Sequence, residues 1–212
     1  MNKHPVLMAA LLLTLFGIAG SSLVAFTHEQ TRERITQNER LALLRSLQVL
    51  VTPDSVDNDM VTDVIRVRHP DLLGSPETTV YRGRKGDQPV ALVLDPVAPD
   101  GYSGPIRLLV AVRRDGSLGG ARVIAHKETP GLGDRIEEQK SDWILGFADR
   151  SLTNPQPSKW KVKRDGGIFD QFTGATITPR AIVIAVRKTL EFVQAQGERL
   201  YTAKTETEDG DS

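Results

Sequence analysis

Hydrophobic and polar positions divide the chain into blocks with different periods. Val6 to Phe26 reads VLMAALLLTLFGIAGSSLVAF, without a charge. At about 1.5 Å per helical residue this run spans roughly the 30 Å hydrocarbon core of a bilayer. It predicts a transmembrane helix over 6–26 behind a cytoplasmic tail at 1–5. A cleaved signal peptide is the alternative, because Ala19-Gly20-Ser21 offers small residues for processing. The apolar run continues past that point through Leu23, Val24, Ala25 and Phe26, which favours a retained anchor.

Residues 27–58 read as a helical stalk. Its first part is polar, and Leu41, Leu44, Leu47 and Val51 then recur at spacings of three and four, an apolar stripe. Pro53 and the segment DSVDND stop it. Strand-like runs follow at Val61–Val67, Thr78–Tyr81 and Val90–Leu94. Ile106–Val112 leads through Asp115-Gly116, a hairpin turn signal, to a partner strand at Ala121–Ala125. Arg135–Phe147 predicts a helix offering Ile136, Trp143, Ile144 and Phe147 to a core. Trp160–Lys163 reads as a short strand. Pro179 to about Gln196 predicts a last helix, with Ile182, Val186, Leu190 and Val193 on one face. The polar segment 203–212 reads as a disordered tail. The fold class is α+β: an antiparallel sheet with packed helices, behind a single N-terminal transmembrane helix.

Composition removes several classes of chemistry. Lys plus Arg number 27, as do Asp plus Glu, so no basic excess points to nucleic acid. The absence of cysteine excludes disulfides, thiolate metal sites and Cys-ligated iron–sulfur clusters. His4, His28, His69 and His126 are too scattered for a dedicated histidine metal site. No GxSxG occurs, and His126 with Glu128 or Asp134 has no identifiable nucleophile to serve.

Three segments remain as candidates. The first, Asp170-Gln-Phe-Thr-Gly-Ala-Thr-Ile-Thr-Pro-Arg180, places Thr178 as N-cap and Pro179 at the first helical position. Thr176 then lies just ahead of free backbone N–H groups and a positive helix end, a seat suited to phosphate. An ordinary capped helix is the plainer alternative. The second, His126-Lys-Glu-Thr-Pro-Gly-Leu-Gly-Asp134, is a backbone-lined turn able to approach a flat or anionic ligand, or simply a surface loop. The third is Gly101-Tyr-Ser-Gly104, where Tyr102 either stacks on a ring or, as preferred, covers the sheet edge. Trp143, at helical spacing, reads as core.

In this order GYSG, HKETPGLGD with the following Asp-Trp, and D-x-x-TGATIT resemble the FMN-binding G subunit of the Rnf/Rsx ion-translocating electron-transport complex, over nearly the whole chain. The corresponding flavin subunit of the sodium-translocating NADH:quinone reductase represents a related family. The resemblance implies a membrane-bound protein that relays electrons through FMN, with 59–202 as a periplasmic FMN-binding domain at the inner membrane. It implies that an FAD-dependent flavin transferase attaches FMN through a phosphoester to Thr176. Thr173, Gly174, Ala175 and Thr178 would surround the attachment. Glu128, Thr129, Gly131, Leu132 and Gly133 would line the flavin, with Lys127 nearby. The family pattern begins with Asp-Gly, whereas Gln171 follows Asp170 here. Other membrane and iron–sulfur subunits of the complex are the implied partners, so the chain is not expected to be a complete enzyme alone. The rival readings are the sodium-pump flavin subunit and a flavin-free anchored scaffold or sensor.

Overall fold

The computed structural model describes residues 4–205; the terminal parts of the expected N-terminal and C-terminal tails, 1–3 and 206–212, lie outside the described residues. The chain divides into two units, Met1–Leu43 and Leu44–Ser212.

The first unit is helical throughout its described residues. It forms most of α1, His4–Leu50, so the helix takes in the expected anchor and the expected stalk only as far as Leu50. Leu7–Arg32 contains an 18-residue stretch with a mean hydropathy of 2.1 and is long and apolar enough to cross a membrane. Leu11, Phe16 and Leu23 stand exposed there, as a lipid-facing helix requires. Thr14 donates its hydroxyl to the Ala10 carbonyl at 2.9 Å, and Thr27 to that of Leu23 at 2.8 Å. These back-bonds let hydroxyls sit in an apolar helix without an unpaired donor.

The second unit begins with the last turns of α1, where Leu47 and Leu50 become buried. The helix ends before Pro53, as the sequence predicts; it is followed by a 3-10 turn at Pro53–Ser55. A six-stranded antiparallel sheet follows, with strands at Val64–Val67 (β1), Thr78–Lys85 (β2), Gln88–Leu94 (β3), Val97–Ala98 (β4), Ile106–Arg113 (β5) and Leu118–Ala125 (β6). The order is β1-β2-β3-β5-β4, and β6 also pairs with β5. A short helix α2, Pro70–Leu73, interrupts the first hairpin, and α3, Ile177–Thr202, closes the chain. The β5–β6 hairpin turns where Asp115-Gly116 places it, with Gly116 at φ +83°. Its second strand starts three residues earlier than the expected Ala121. Gly120, at φ +150°, takes up a register shift there that the alternating pattern does not reveal.

One face of the sheet carries the main core, where Leu108, Val110 and Val112 meet Ile182, Val186 and Leu190 of α3. A smaller cluster joins Val80, Leu92 and Leu94 to Phe192, Leu200 and Tyr201. That second cluster explains why α3 outruns the predicted end near Gln196. Buried Arg82 donates to the carbonyls of Leu200 and Ala203, and Arg84 to that of Tyr201, closing the final turn. Arg82 also reaches the Thr205 hydroxyl and is paired with Asp63. Ala203 and Thr205, at the start of the expected tail, are thus bonded to Arg82. Burial pushes the Asp63 carboxyl up, but the bonds from Arg84 and Arg82 outweigh it and hold it below its ordinary value.

Two elements differ from expectation between the sheet and α3. Arg135–Phe147 is not one helix; it forms 3-10 turns at Asp134–Ile136 and Asp142–Phe147. The six polar residues 137–142 leave no apolar stripe to hold a helix there. Ser141 instead caps the second turn, accepting from the Trp143 N–H, and donates its hydroxyl to the Arg135 carbonyl. Ile136, Ile144 and Phe147 still reach the core. Trp160–Lys163 is not a strand either, since only Val162 makes a single bridge, to Phe169. The chain doubles back too tightly at Gly167, where a Cβ would stand 1.8 Å from the Lys161 carbonyl oxygen.

Candidate functional site

The three candidate segments converge on one side chain. Glu128, 4% exposed, follows β6 and turns its carboxylate inward. The Thr178 hydroxyl donates to its Oε2 at 2.5 Å, and the Ser103 N–H donates to its Oε1 at 2.9 Å. The GYSG turn, the loop after β6 and the start of α3 are thus fastened by one buried carboxylate. Its backbone is held as well. The Glu128 N–H donates to Nδ1 of His126 at 3.0 Å, and the other ring nitrogen lies 3.1 Å from Glu137. His126 is therefore a strut for Glu128.

Glycines permit this close approach. A Cβ on Gly133 would lie 2.8 Å from the Glu128 Oε2 and 3.2 Å from the Thr178 hydroxyl. Gly133→Ala is expected to force the Glu128–Thr178 contact apart and lower stability by about 2 kcal/mol, measurable by denaturant unfolding. Gly131 adopts φ +79°, and its N–H donates to the Asp134 carboxylate at 2.8 Å. The N–H groups of Leu132 and Gly133 both donate to the Thr129 carbonyl. The loop is thereby closed on itself, while Lys127 and Leu132 are both exposed.

The start of α3 differs from expectation by two residues. The helix begins at Ile177, Thr176 occupies the N-cap with φ −77° and ψ −29°, and its side chain makes no capping bond. Thr178, expected as the cap, is fully buried with its hydroxyl given to Glu128. A buried carboxylate needs donors more than an exposed helix end does, so Glu128 claims that hydroxyl. The Ile177 and Thr178 N–H groups have no intrahelical acceptor in this first turn, the arrangement that receives an anion. Immediately before it, Phe172–Ala175 makes a tight turn with Gly174 at φ +82° and Thr173 exposed. A Cβ at Gly174 would touch Leu132 at 3.7 Å, so the two loops abut.

The free Thr176 hydroxyl, half-buried, stands at this helix end. Leu132 and Ile177, each 45% exposed, and Tyr102, 68% exposed, add apolar surface on the three converging segments. A phosphate donor set with exposed apolar side chains on adjoining loops fits a phosphorylated planar ligand. Trp143 is half-buried, edge-on to Phe147 and Phe172, and donates its indole N–H to the Asp170 carbonyl at 2.8 Å. The Gln171 side-chain oxygen accepts from the Arg164 N–H at 3.2 Å. Sequence reading missed the Ser103 N–H and the Asp165–Arg180 pair; contacts between loops distant in the chain leave no local periodic signal.

Residues 101–191, which carry these segments, match the FMN-binding domain family, and residues 1–50 match the RnfG N-terminal region. The matched region is an FMN-binding domain, carried behind an N-terminal helix. The chain is 46% identical to the G subunit of the ion-translocating oxidoreductase complex of Pseudoalteromonas atlantica, covering 96% of this chain and 95% of the relative. It is 48% identical to the same protein of Pseudomonas aeruginosa, over 94% of each chain. With the Vibrio cholerae protein it shares 42% identity, over 90% of this chain and 91% of the relative. The chain belongs to this family, the G subunits of ion-translocating oxidoreductase complexes.

Proposed function

We propose that this chain is a membrane-anchored electron-transfer component of an ion-translocating oxidoreductase, carrying FMN on Thr176 as a phosphoester. The observation that carries the reading is the unspent Thr176 hydroxyl at the head of α3, ahead of N–H groups with no intrahelical acceptor. In the attachment, the Thr176 oxygen bonds to the FMN phosphorus of FAD as the pyrophosphate bond breaks. AMP leaves, and the hydroxyl proton passes to a base of the flavin transferase. When bound, the flavin supplies one- and two-electron redox chemistry. The chain's own residues hold its phosphate at the helix end, and Glu128 fixes the surrounding loops. Leu132 and Ile177 offer apolar surface to the ring. Other subunits of the complex deliver and remove the electrons.

Full-length chain coexpressed with a flavin transferase should give an ultraviolet-fluorescent band on a denaturing gel. A colourless band would remove the covalent reading. The domain is proposed to face the periplasm. Because the chain has no cysteine, Lys159→Cys supplies a unique thiol on an exposed turn. It should react with a membrane-impermeant maleimide in intact spheroplasts; labelling only after lysis would place the domain inside.

A further inference from the structure

Arg180 lies one helical turn beyond Thr176 on the same face, its N–H donating to the Thr176 carbonyl at 3.3 Å. Side chains on a helix lean toward its N-terminus, which favours the cap side for a long side chain at this position. It is held there by Asp165, which accepts from Nε at 2.7 Å and from Nη2 at 3.0 Å. This fork occupies one edge of the guanidinium, while Nη1 has no partner among the described residues. Asp165 is tightly committed: the Arg180 hydrogen bond, with Arg164 and Lys161 nearby, holds its carboxyl below the ordinary range. The loop bearing it is also fastened by Lys163 to Asp170 at 2.6 Å. A cation one helical turn beyond the acceptor, on the same helix face and with an open donor edge, can serve an anion held at that helix end.

We propose that Arg180, braced by Asp165, donates its free Nη1 edge to the phosphodiester joined to Thr176. The inference rests on the reading of Thr176 as flavin acceptor and assigns the group that neutralises the bound phosphate. It makes Arg180 a specificity element: a ligand without an anionic phosphate at this end would leave the edge unused. Planar guanidinium donors suit phosphate oxygens, whereas a lysine ammonium would supply charge without the fork to Asp165.

The test uses flavin-free, full-length wild type, Arg180→Gln and Arg180→Lys in detergent, each incubated with FAD and an FAD-dependent flavin transferase. Incorporation into Arg180→Gln should fall about tenfold in initial rate, the effect of losing one charge-assisted hydrogen bond. The phosphorus NMR resonance of the labelled Arg180→Gln product should move from its wild-type position. Arg180→Lys should return it part of the way, a rescue that a purely structural role for Arg180 would not produce. Thermal unfolding checks that both variants are folded before labelling. A wild-type phosphorus resonance in labelled Arg180→Gln overturns the assignment, whatever the rate. Failure of wild type itself to take up flavin overturns the Thr176 reading instead, so the two are distinguished.

Discussion

Thr176→Val is expected to abolish covalent flavin while leaving the fold intact. The substitution keeps the branched shape and removes only the hydroxyl oxygen. That oxygen makes no capping bond, so no packing or hydrogen-bond loss accompanies its removal. The coexpressed variant should show no fluorescent band and the mass of the bare chain, with an unfolding midpoint close to wild type. Thr173→Val is the matched control. Thr173 is exposed in the Phe172–Ala175 turn three residues earlier, and the variant should retain the band. Loss of the band in Thr173→Val alone would move the acceptor to that residue.

Glu128→Ala should be the most damaging substitution to the site's architecture. It frees the Thr178 hydroxyl and the Ser103 N–H together, two donors that now meet a carboxylate. The Thr178 hydroxyl is fully buried and costs about 1–3 kcal/mol when left without a partner. Ser103, in contrast, is exposed and its N–H can turn to water, so a loss of about 2 kcal/mol is expected in denaturant unfolding. Glu128→Gln should lose about half of that, because its amide oxygen can serve one donor while its NH2 opposes the other. The consequence for function follows from the same bonds. With the start of α3 released from the two loops, flavin incorporation at Thr176 should fall in Glu128→Ala although the acceptor hydroxyl is present. Equal stability of the Ala and Gln variants would show that Glu128 is not the fastening the geometry describes.

Much of the fold is legible from local pattern. An uncharged run of membrane-spanning length can only be satisfied by a helix, whose backbone bonds are all internal. Pro53 and Asp115-Gly116 act through φ restriction and positive-φ tolerance, which are properties of the residues themselves. The 137–142 stretch is harder to read. Trp143, Ile144 and Phe147 have helical spacing, yet the polar residues before them offer nothing to bury, and capping by Ser141 yields separate 3-10 turns. The end of α3 is likewise hidden, since its last turn is closed by Arg82 and Arg84 from a strand more than a hundred residues earlier.

The site divides along the same line. The sequence by itself determined the membrane-spanning helix, the α+β class, the absence of cysteine chemistry and the TGAT turn leading into a helix. Each rests on short-range periodicity, backbone preference or simple composition. Only the tertiary structure decided that Thr178 serves Glu128 and that the cap falls on Thr176. It also brought GYSG, ETPGLG and TGAT into one cluster and placed Asp165 against Arg180. Those outcomes depend on which buried polar group must be satisfied by which distant donor. That requirement arises only once the loops have packed and excluded water.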